Sequence, residues 1–333
     1  MMQVRTGRRA DKRRNLQLRG AEKPVARLQR RILLELVCRR VAPPAPAVRR
    51  DATGPCLMLR YDLHSHSTHS DGLLTPLELV RRAAQRGVDV LALTDHDELS
   101  GLGEARDAAR DAGIRLIDGV ELSVSWRDLT LHVLALRVDP LCPRLVNGLA
   151  TIRNGRTRRA RRIGEALAAS GIPGAYEGAL RFVTSESLIS RTHFARFIVE
   201  SGYVRETKDV FKRYLTPGKP GHVQHHWTTL TQAIDWIHVA GGQAVLAHPG
   251  RYTLNGKGMR ELLADFCDLG GDGIEVLSSS HTAAQTDEFV RHARVYGLLA
   301  SSGSDYHGPG ESWVDLGDMP PLPAGTAPVW KDW

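Results

Sequence analysis

The chain has 333 residues, 42% of them hydrophobic, and a formal net charge of +8, which allows one large globular domain or two smaller ones. No apolar run approaches the ~20 residues of a membrane span; residues 31–38 are too few, include a glutamate and lack a leader's cleavage signal. Residues 1–57 hold 15 Lys/Arg against 4 Asp/Glu, a net of +11, while the remainder is −3, so a nucleic-acid argument from charge applies to residues 1–57 alone.

Residues 1–57 are arginine-rich and end in a Pro/Ala stretch over 41–47. They read as a basic, disordered extension with a helix signal at 25–40. Such a segment is either an arm that contacts nucleic acid or an extension of no consequence. Met58, just ahead of the first strand, favours the second. Cys38, Cys56, Cys142 and Cys267 form no CxxC pair. They read as small hydrophobes of a reducing, cytoplasmic compartment, not as a disulfide framework.

From Leu57 onward strands and helices alternate. Residues 59–63 form a strand that runs into His64-Ser65-His66-Ser67-Thr68-His69-Ser70-Asp71-Gly72. His64 and His66, two apart on a strand, share a face; Asp71 follows in a loop that Gly72 turns. Thr75, Pro76 and Glu78 supply the N-cap, first turn and capping box of a helix over 76–85 that stops at Gly87. Residues 88–93 are a continuous apolar run, as in a buried parallel strand, and end in Thr94-Asp95-His96-Asp97. A helix over 103–112 ends at Gly113, and a strand over 115–120 ends at Glu121. A strand over 131–136 has His132 at its start.

Residues 140–240 change character. They are mostly helical, with arginines concentrated at 156–162 and no obvious buried strand, and read as an inserted helical subdomain. The arginine run reads as a solvated helix face. Strands return at 243–246, ending in Ala247-His248-Pro249, at 273–277, and at 298–301, ending in Gly303-Ser304-Asp305-Tyr306-His307. The proline-containing end reads as irregular closing structure. The expected organisation is an extension (1–57), an α/β body (58–139 and 241–333) and the insertion (140–240). With about seven strands, and polar residues following so many of them, a closed or nearly closed (β/α) barrel with its chemistry on one rim fits better than an open doubly wound sheet.

Six of the 14 histidines stand at strand ends or starts: His64, His66, His96, His132, His248 and His307. Asp71, Asp95, Glu121 and Asp305 accompany them. So many such groups on one rim would cost heavily in repulsion and desolvation without a cation. The candidate donors exceed one ion's need. Mixed imidazole and carboxylate donors suit two or three ions of Mn²⁺, with Fe²⁺, Zn²⁺ or Mg²⁺ as alternatives, better than Ca²⁺. Such a cluster lowers the pKa of bound water and clamps a phosphate oxygen.

In order, the motifs Asp62-Leu63-His64-Ser65-His66 through Asp71-Gly72, Thr94-Asp95-His96-Asp97, Gly119-Val120-Glu121-Leu122-Ser123, Ala247-His248-Pro249 and Gly303-Ser304-Asp305-Tyr306-His307 resemble those of the PHP (polymerase and histidinol phosphatase) phosphoesterases. The likeness is greatest to a branch holding nucleoside 3′,5′-bisphosphate phosphatases and a 5′-to-3′ exoribonuclease, which carries a helical insertion in the same place. The resemblance implies a distorted seven-stranded barrel with three metals. It puts His64, His66, Glu121 and Asp305 on one ion, Glu121, His132 and His248 on a second, and Asp71, His96 and His307 on a third. It makes Asp62 and Asp95 carboxylates that orient histidines. It also makes Arg251, the Arg191/His193 pair and Lys219 the cations that receive phosphate.

No GxSxG or aspartyl-phosphate motif offers a covalent nucleophile, so hydroxide on the metals is the expected one. The implied activity is hydrolysis of a phosphate monoester, nucleoside 3′,5′-bisphosphate to nucleoside 5′-phosphate. The alternatives are 5′-to-3′ trimming of short RNA, a histidinol-phosphatase-like activity, and a non-catalytic metal domain that docks on nucleic acid.

Overall fold

Period-2 alternation along the strands decides which side chains enter the centre of this molecule. The computed structural model describes residues 59–333; the basic segment 1–57, with the helix expected at 25–40, lies outside the described residues. The first strand, β1 (Tyr61–Asp62), is shorter than the expected 59–63. Beyond it the chain turns into a loop in which Ser65 forms an isolated bridge with Tyr306. Helix α1 (Pro76–Gln85) has the expected capping box between Thr75 and Glu78, then come β2 (Val90–Leu93) and α2 (Leu102–Ala112), which Gly113 closes in a left-handed conformation.

Strand β3 (Arg115–Trp126) runs well past the expected stop at Glu121 and turns back at once into β4 (Leu129–Leu136). The two pair antiparallel along their length, Gly119 with Leu136 through Trp126 with Leu129. Glu121 therefore sits in the middle of a hairpin arm. Leu122, Val124 and Trp126 continue the apolar alternation that makes the longer strand.

Next come α3 (Pro143–Ala169), α4 (Ala175–Leu180), α5 (Arg191–Glu200) and α6 (Thr207–Val210), which runs into a π-helical turn over Phe211–Leu215. A two-residue strand, β5 (Thr228–Thr229), pairs with β3, where no strand was expected. The remaining elements are α7 (Leu230–Val239), β6 (Gln243–Leu246), α8 (Gly256–Asp268), β7 (Gly273–Ser278), α9 (Ala283–Tyr296) and β8 (Leu299–Gly303), and residues 304–333 follow without further helix or strand.

The sheet order is β1-β2-β3-β4-β6-β7-β8. The ring closes where Leu63 N–H donates to the Ser302 carbonyl at 3.0 Å and Ser65 bridges Tyr306. Neighbours in the ring are parallel except that β4 is antiparallel to both β3 and β6. This is a nearly closed, distorted seven-stranded barrel.

Leu63, Val90, Ala92, Ile117, Leu134, Leu136, Val245 and Ala247 fill its interior, and Val329 of the C-terminal segment joins them. Each of the buried leucine, isoleucine and valine side chains is worth roughly 1.5–3 kcal/mol relative to exposure. The opposite faces of β3, β4 and β6 pack under the helices with Leu145, Leu149 and Ile152 of α3 and Leu230, Ala233, Ile234 and Ile237 of α7. A separate cluster, from Ala160 to Val223, forms the core of the helical segment. Long helix α3 thus belongs to both cores and carries the helical segment over one rim.

Candidate metal centre

Six segments bring the site together, Glu121 of β3 among them. The loop after β1 carries His64, His66 and Asp71. Gly72 lets it fold tightly, because a Cβ there would lie 2.2 Å from the His66 carbonyl oxygen. The loop after β2 carries His96, which bridges Glu121 of β3. Because β4 runs against the other strands, its start, with His132, lies at the rim where they end. After β6 comes His248 at φ +27°, and after β8 come Asp305 at φ +53° and His307. Left-handed backbone at two site residues is the sort of local strain that a surrounding fold must hold in place.

Glu121 is the hub. It is fully buried, and five imidazoles surround its two oxygens. His132 Nδ1 and His248 Nε2 lie 2.8 and 3.0 Å from Oε1, and His96 Nδ1 lies 2.8 Å from Oε2. His64 and His66 approach within 3.4 Å. Asp305 Oδ1 lies 3.3 Å from His64 Nε2 and 3.1 Å from His66 Nε2. Asp71 Oδ1 faces His307 Nε2 at 3.3 Å and His96 Nε2 at 3.7 Å. All nine expected donors therefore converge.

The charges are strongly coupled. Burial opposes ionisation of Glu121, but His132, His96 and His64 overcome it and hold the carboxyl well below its usual range. Asp71 behaves alike under burial opposed by His96 and His307, and Asp305 under burial opposed by Arg251 and His64. Burial, then repulsion from His307, pushes His66 down to about 3; burial and Arg251 push His248 to about 3. These two imidazoles stay neutral at physiological pH, the form that binds a metal.

The donor set fits divalent cations. Ligand atoms of His66, Asp71, His96 and His307 lie within 4.8 Å of one another, as do those of His64, His66 and Glu121, of His64, His248 and Asp305, and of His96, Glu121 and His132. Buried His64 Nε2, Asp71 Oδ1 and Glu121 Oε2 make no hydrogen bond. Buried polar atoms left without partners and aimed at a common space are what a cation would satisfy.

Of the expected phosphate cations, Arg251 and Arg191 line the cleft above these donors. Arg251 pairs with Asp305 Oδ2 at 2.5 Å. The structure does not bring His193 or Lys219 there. His193 is buried at the start of α5, where Nδ1 accepts the Ser190 N–H at 2.9 Å as part of a cap. Lys219 is exposed on a turn. Neither Asp62 nor Asp95 hydrogen-bonds a histidine ring. Asp62 accepts the Ser304 N–H at 2.9 Å, and Asp95 takes the Ser67 N–H and the Ser67 and Ser70 hydroxyls at 2.6–2.7 Å. They hold the loops that carry the donors.

The arginine run is not simply a solvated face. Arg158, Arg161 and Arg162 are exposed, but Arg156 and Arg159 turn inward and line the cleft with Arg191 and Trp227. Arg156 is only 6% exposed and makes two bonds to Asp97 Oδ2, at 2.7 and 2.5 Å, and one to Ser123 Oγ at 2.8 Å. Arg153, a turn earlier, donates to the Asp97 carbonyl at 2.7 Å. Arg159 donates to the Val223 carbonyl and Arg191 to that of Leu215, with no carboxylate in salt-bridge reach among the described residues. Burial, then Arg191 and Arg156, lowers Arg159 to about 9. The i, i+3, i+6 spacing of Arg153, Arg156 and Arg159, beside buried Gly155 and Ala160, is the signal that marks an inward stripe. Glu275 also escaped sequence reasoning; it is fully buried on β7 against His64.

A barrel with this rim is the framework of metal-dependent phosphoesterases. A structure from Bifidobacterium adolescentis described as one superposes with a TM-score of 0.69 at 28% identity, covering 82% of this chain and 94% of that one. The PHP domain model matches residues 62–216. The chain is 50% identical over 275 residues to the 3′,5′-nucleoside bisphosphate phosphatase of Chromobacterium violaceum, covering 83% of this chain and 96% of that protein. It is 45% identical to the 5′-3′ exoribonuclease Rnm of Salmonella typhimurium, covering 82% and 93%. A Chromobacterium violaceum structure described as an amidohydrolase with bound sulfate and no metal superposes with a TM-score of 0.80 at 50% identity, covering 82% and 95%. The chain belongs to the PHP domain family and is a hydrolase of phosphoric esters.

Proposed function

We propose that this chain removes a phosphate from a nucleoside 3′,5′-bisphosphate, leaving a nucleoside 5′-phosphate, with divalent cations held by His64, His66, Asp71, His96, Glu121, His132, His248, Asp305 and His307. The observation that carries this reading is one cleft with two unlike walls: the imidazole and carboxylate cluster, and the guanidiniums of Arg156, Arg159 and Arg191. A substrate with two phosphates satisfies both walls; a monophosphate leaves Arg159 and Arg191 without an anionic partner among the described residues, whereas Arg156 is already paired with Asp97. The match to a bisphosphate phosphatase at 50% identity supports the same substrate class.

We divide the donors as His64, His66, Glu121 and Asp305 on one ion, Glu121, His132 and His248 on a second, and Asp71, His96 and His307 on a third. The donor types suit Mn²⁺, Fe²⁺ or Zn²⁺, and we favour Mn²⁺. When bound, the cations polarise phosphate oxygens and lower the pKa of water. The protein's own part is positional. Glu121 gathers the imidazoles, and Arg251, at the rim on Asp305, has guanidinium donors left for a phosphate oxygen. Arg159 and Arg191 hold the second phosphate, and Trp227 offers an apolar ring beside it.

Phosphate release from a panel of phosphate esters by the Mn²⁺-loaded protein tests the reading. Nucleoside 3′,5′-bisphosphates should turn over with the highest kcat/KM; silence on every ester with metal bound sinks it. The second reading, 5′-to-3′ trimming of short RNA, is favoured by the 45% identical exoribonuclease. It would show as mononucleotide release from 5′-phosphorylated oligomers.

A further inference from the structure

We propose that Glu275 positions two of the cation-binding histidines, presenting the Nε2 lone pair of His64 to a metal and pinning the backbone of His248. This rests on the divalent-metal reading above and deepens it by naming the group that sets a ligand's tautomer. Glu275 is outside the nine donors, and both of its oxygens are engaged by histidines, so it acts on the site through them.

Both of its carboxylate oxygens are used, and on different histidines. Oε1 lies 3.0 Å from His64 Nδ1, and Oε2 accepts the backbone N–H of His248 at 2.6 Å. A carboxylate only accepts, so the hydrogen in the first contact belongs to His64 Nδ1. The lone pair available to a cation is then on Nε2. That atom is buried without a hydrogen bond, 3.4 Å from Glu121 Oε1 and 3.3 Å from Asp305 Oδ1.

The second contact acts on backbone. His248 sits at φ +27°, a conformation a non-glycine residue rarely adopts. The bond from its N–H to Glu275 ties that strained residue to β7, and its Nε2 reaches Glu121 Oε1 at 3.0 Å. One carboxylate thus sets ligands delivered from the ends of two other strands.

Gly303 leaves room for the arrangement. A Cβ at that position would lie 2.3 Å from His64 Cβ and 3.0 Å from Glu275 Oε1. The neighbouring strand therefore keeps the His64–Glu275 contact open by carrying no side chain.

The discriminating variant is Glu275→Gln. Its amide has one acceptor, and the His248 N–H claims it. The NH₂ group then faces His64 Nδ1, which must accept, and the imidazole hydrogen moves to Nε2, where it opposes a cation. The full chain, stripped by chelation and titrated with Zn²⁺, should bind one ion about 10–100-fold more weakly in the variant. In ¹⁵N-histidine NMR of the Zn²⁺-loaded wild type, His64 should show a far-downfield Nδ1–H, absent in Glu275→Gln. Loss of charge alone would weaken binding without moving that signal. If the wild type takes up neither Zn²⁺ nor Mn²⁺, the metal reading fails first. If it binds Zn²⁺ and Glu275→Gln binds as tightly with the His64 signal unchanged, the positioning role is overturned. Should the variant not fold, the wild-type spectrum decides: His64 bound through Nδ1, with no proton toward Glu275, overturns the proposal.

Discussion

At the scale of the residue, the centre works because Glu121 collects imidazoles that would otherwise repel one another. On the proposed division, His64 and Asp71 serve different ions although they lie in one loop. His64→Ala and Asp71→Ala should each abolish turnover while emptying different metal positions. Metal content by mass spectrometry with a steady-state assay checks this, and near-wild-type rate with full metal in either variant contradicts the division. Arg159 gives a second prediction. It has no carboxylate partner among the described residues, so a phosphate is its natural counter-charge. A hydrogen bond to a charged group is worth about 1.5–3 kcal/mol. Arg159→Ala should therefore lower kcat/KM for a nucleoside bisphosphate by about 10–100-fold. Turnover of a small ester with one phosphate should hardly change. Equal losses on both substrates would move Arg159 from substrate recognition to folding.

At the scale of the element, the reversed strand β4 and the long helix α3 decide what the rim contains. Reversal puts His132 beside Glu121, and α3 carries Arg156 onto Asp97. Helix α5 is held by its own cap, and this has a pH consequence. Burial, aided by Arg196 and Arg156 and opposed by Asp71, pushes the capping imidazole of His193 down to about 4. In the unfolded chain it takes a proton near pH 6.5. Between those values the unfolded state binds more protons, so stability falls as pH drops from about 6.5 toward 4, by up to about 3 kcal/mol from this group. His193→Gln keeps an acceptor at the capping position and should flatten that limb of the stability profile. Denaturant melts at pH 7 and pH 5 measure it, and an unchanged slope rules the account out.

At the scale of the molecule, all nine donors and the cleft residues named above are among the described residues 59–333, whereas the net positive charge comes from 1–57. Removing residues 1–57 should leave metal content and phosphatase rate unchanged; a large loss of either would show that the segment supports the site. Divalent cations that bind only the folded chain should raise its melting temperature, by mass action, in proportion to the logarithm of their concentration. A melting temperature indifferent to chelator would count against a built metal centre.

Donor chemistry and its order along the chain were legible in the residues themselves. Imidazoles and carboxylates that follow strand after strand announce a rim, and Thr75 with Glu78 and Gly113 mark the ends of helices by local geometry. What residues alone do not carry is which of them face each other. Glu275 reads as one polar letter in an apolar strand, and Arg156 and Arg159 read as part of a charged helix, because a side chain's partner depends on elements far away in sequence. Closing the ring sets β7 against the His64 loop, and seating α3 on the barrel turns one arginine stripe inward. The sequence by itself determined what kind of ion and phosphate chemistry this protein can offer. The tertiary structure decided which carboxylate is the hub, which one orients His64 and which arginines are left for an anion. Those roles are set by distance and burial, which only the closed barrel defines.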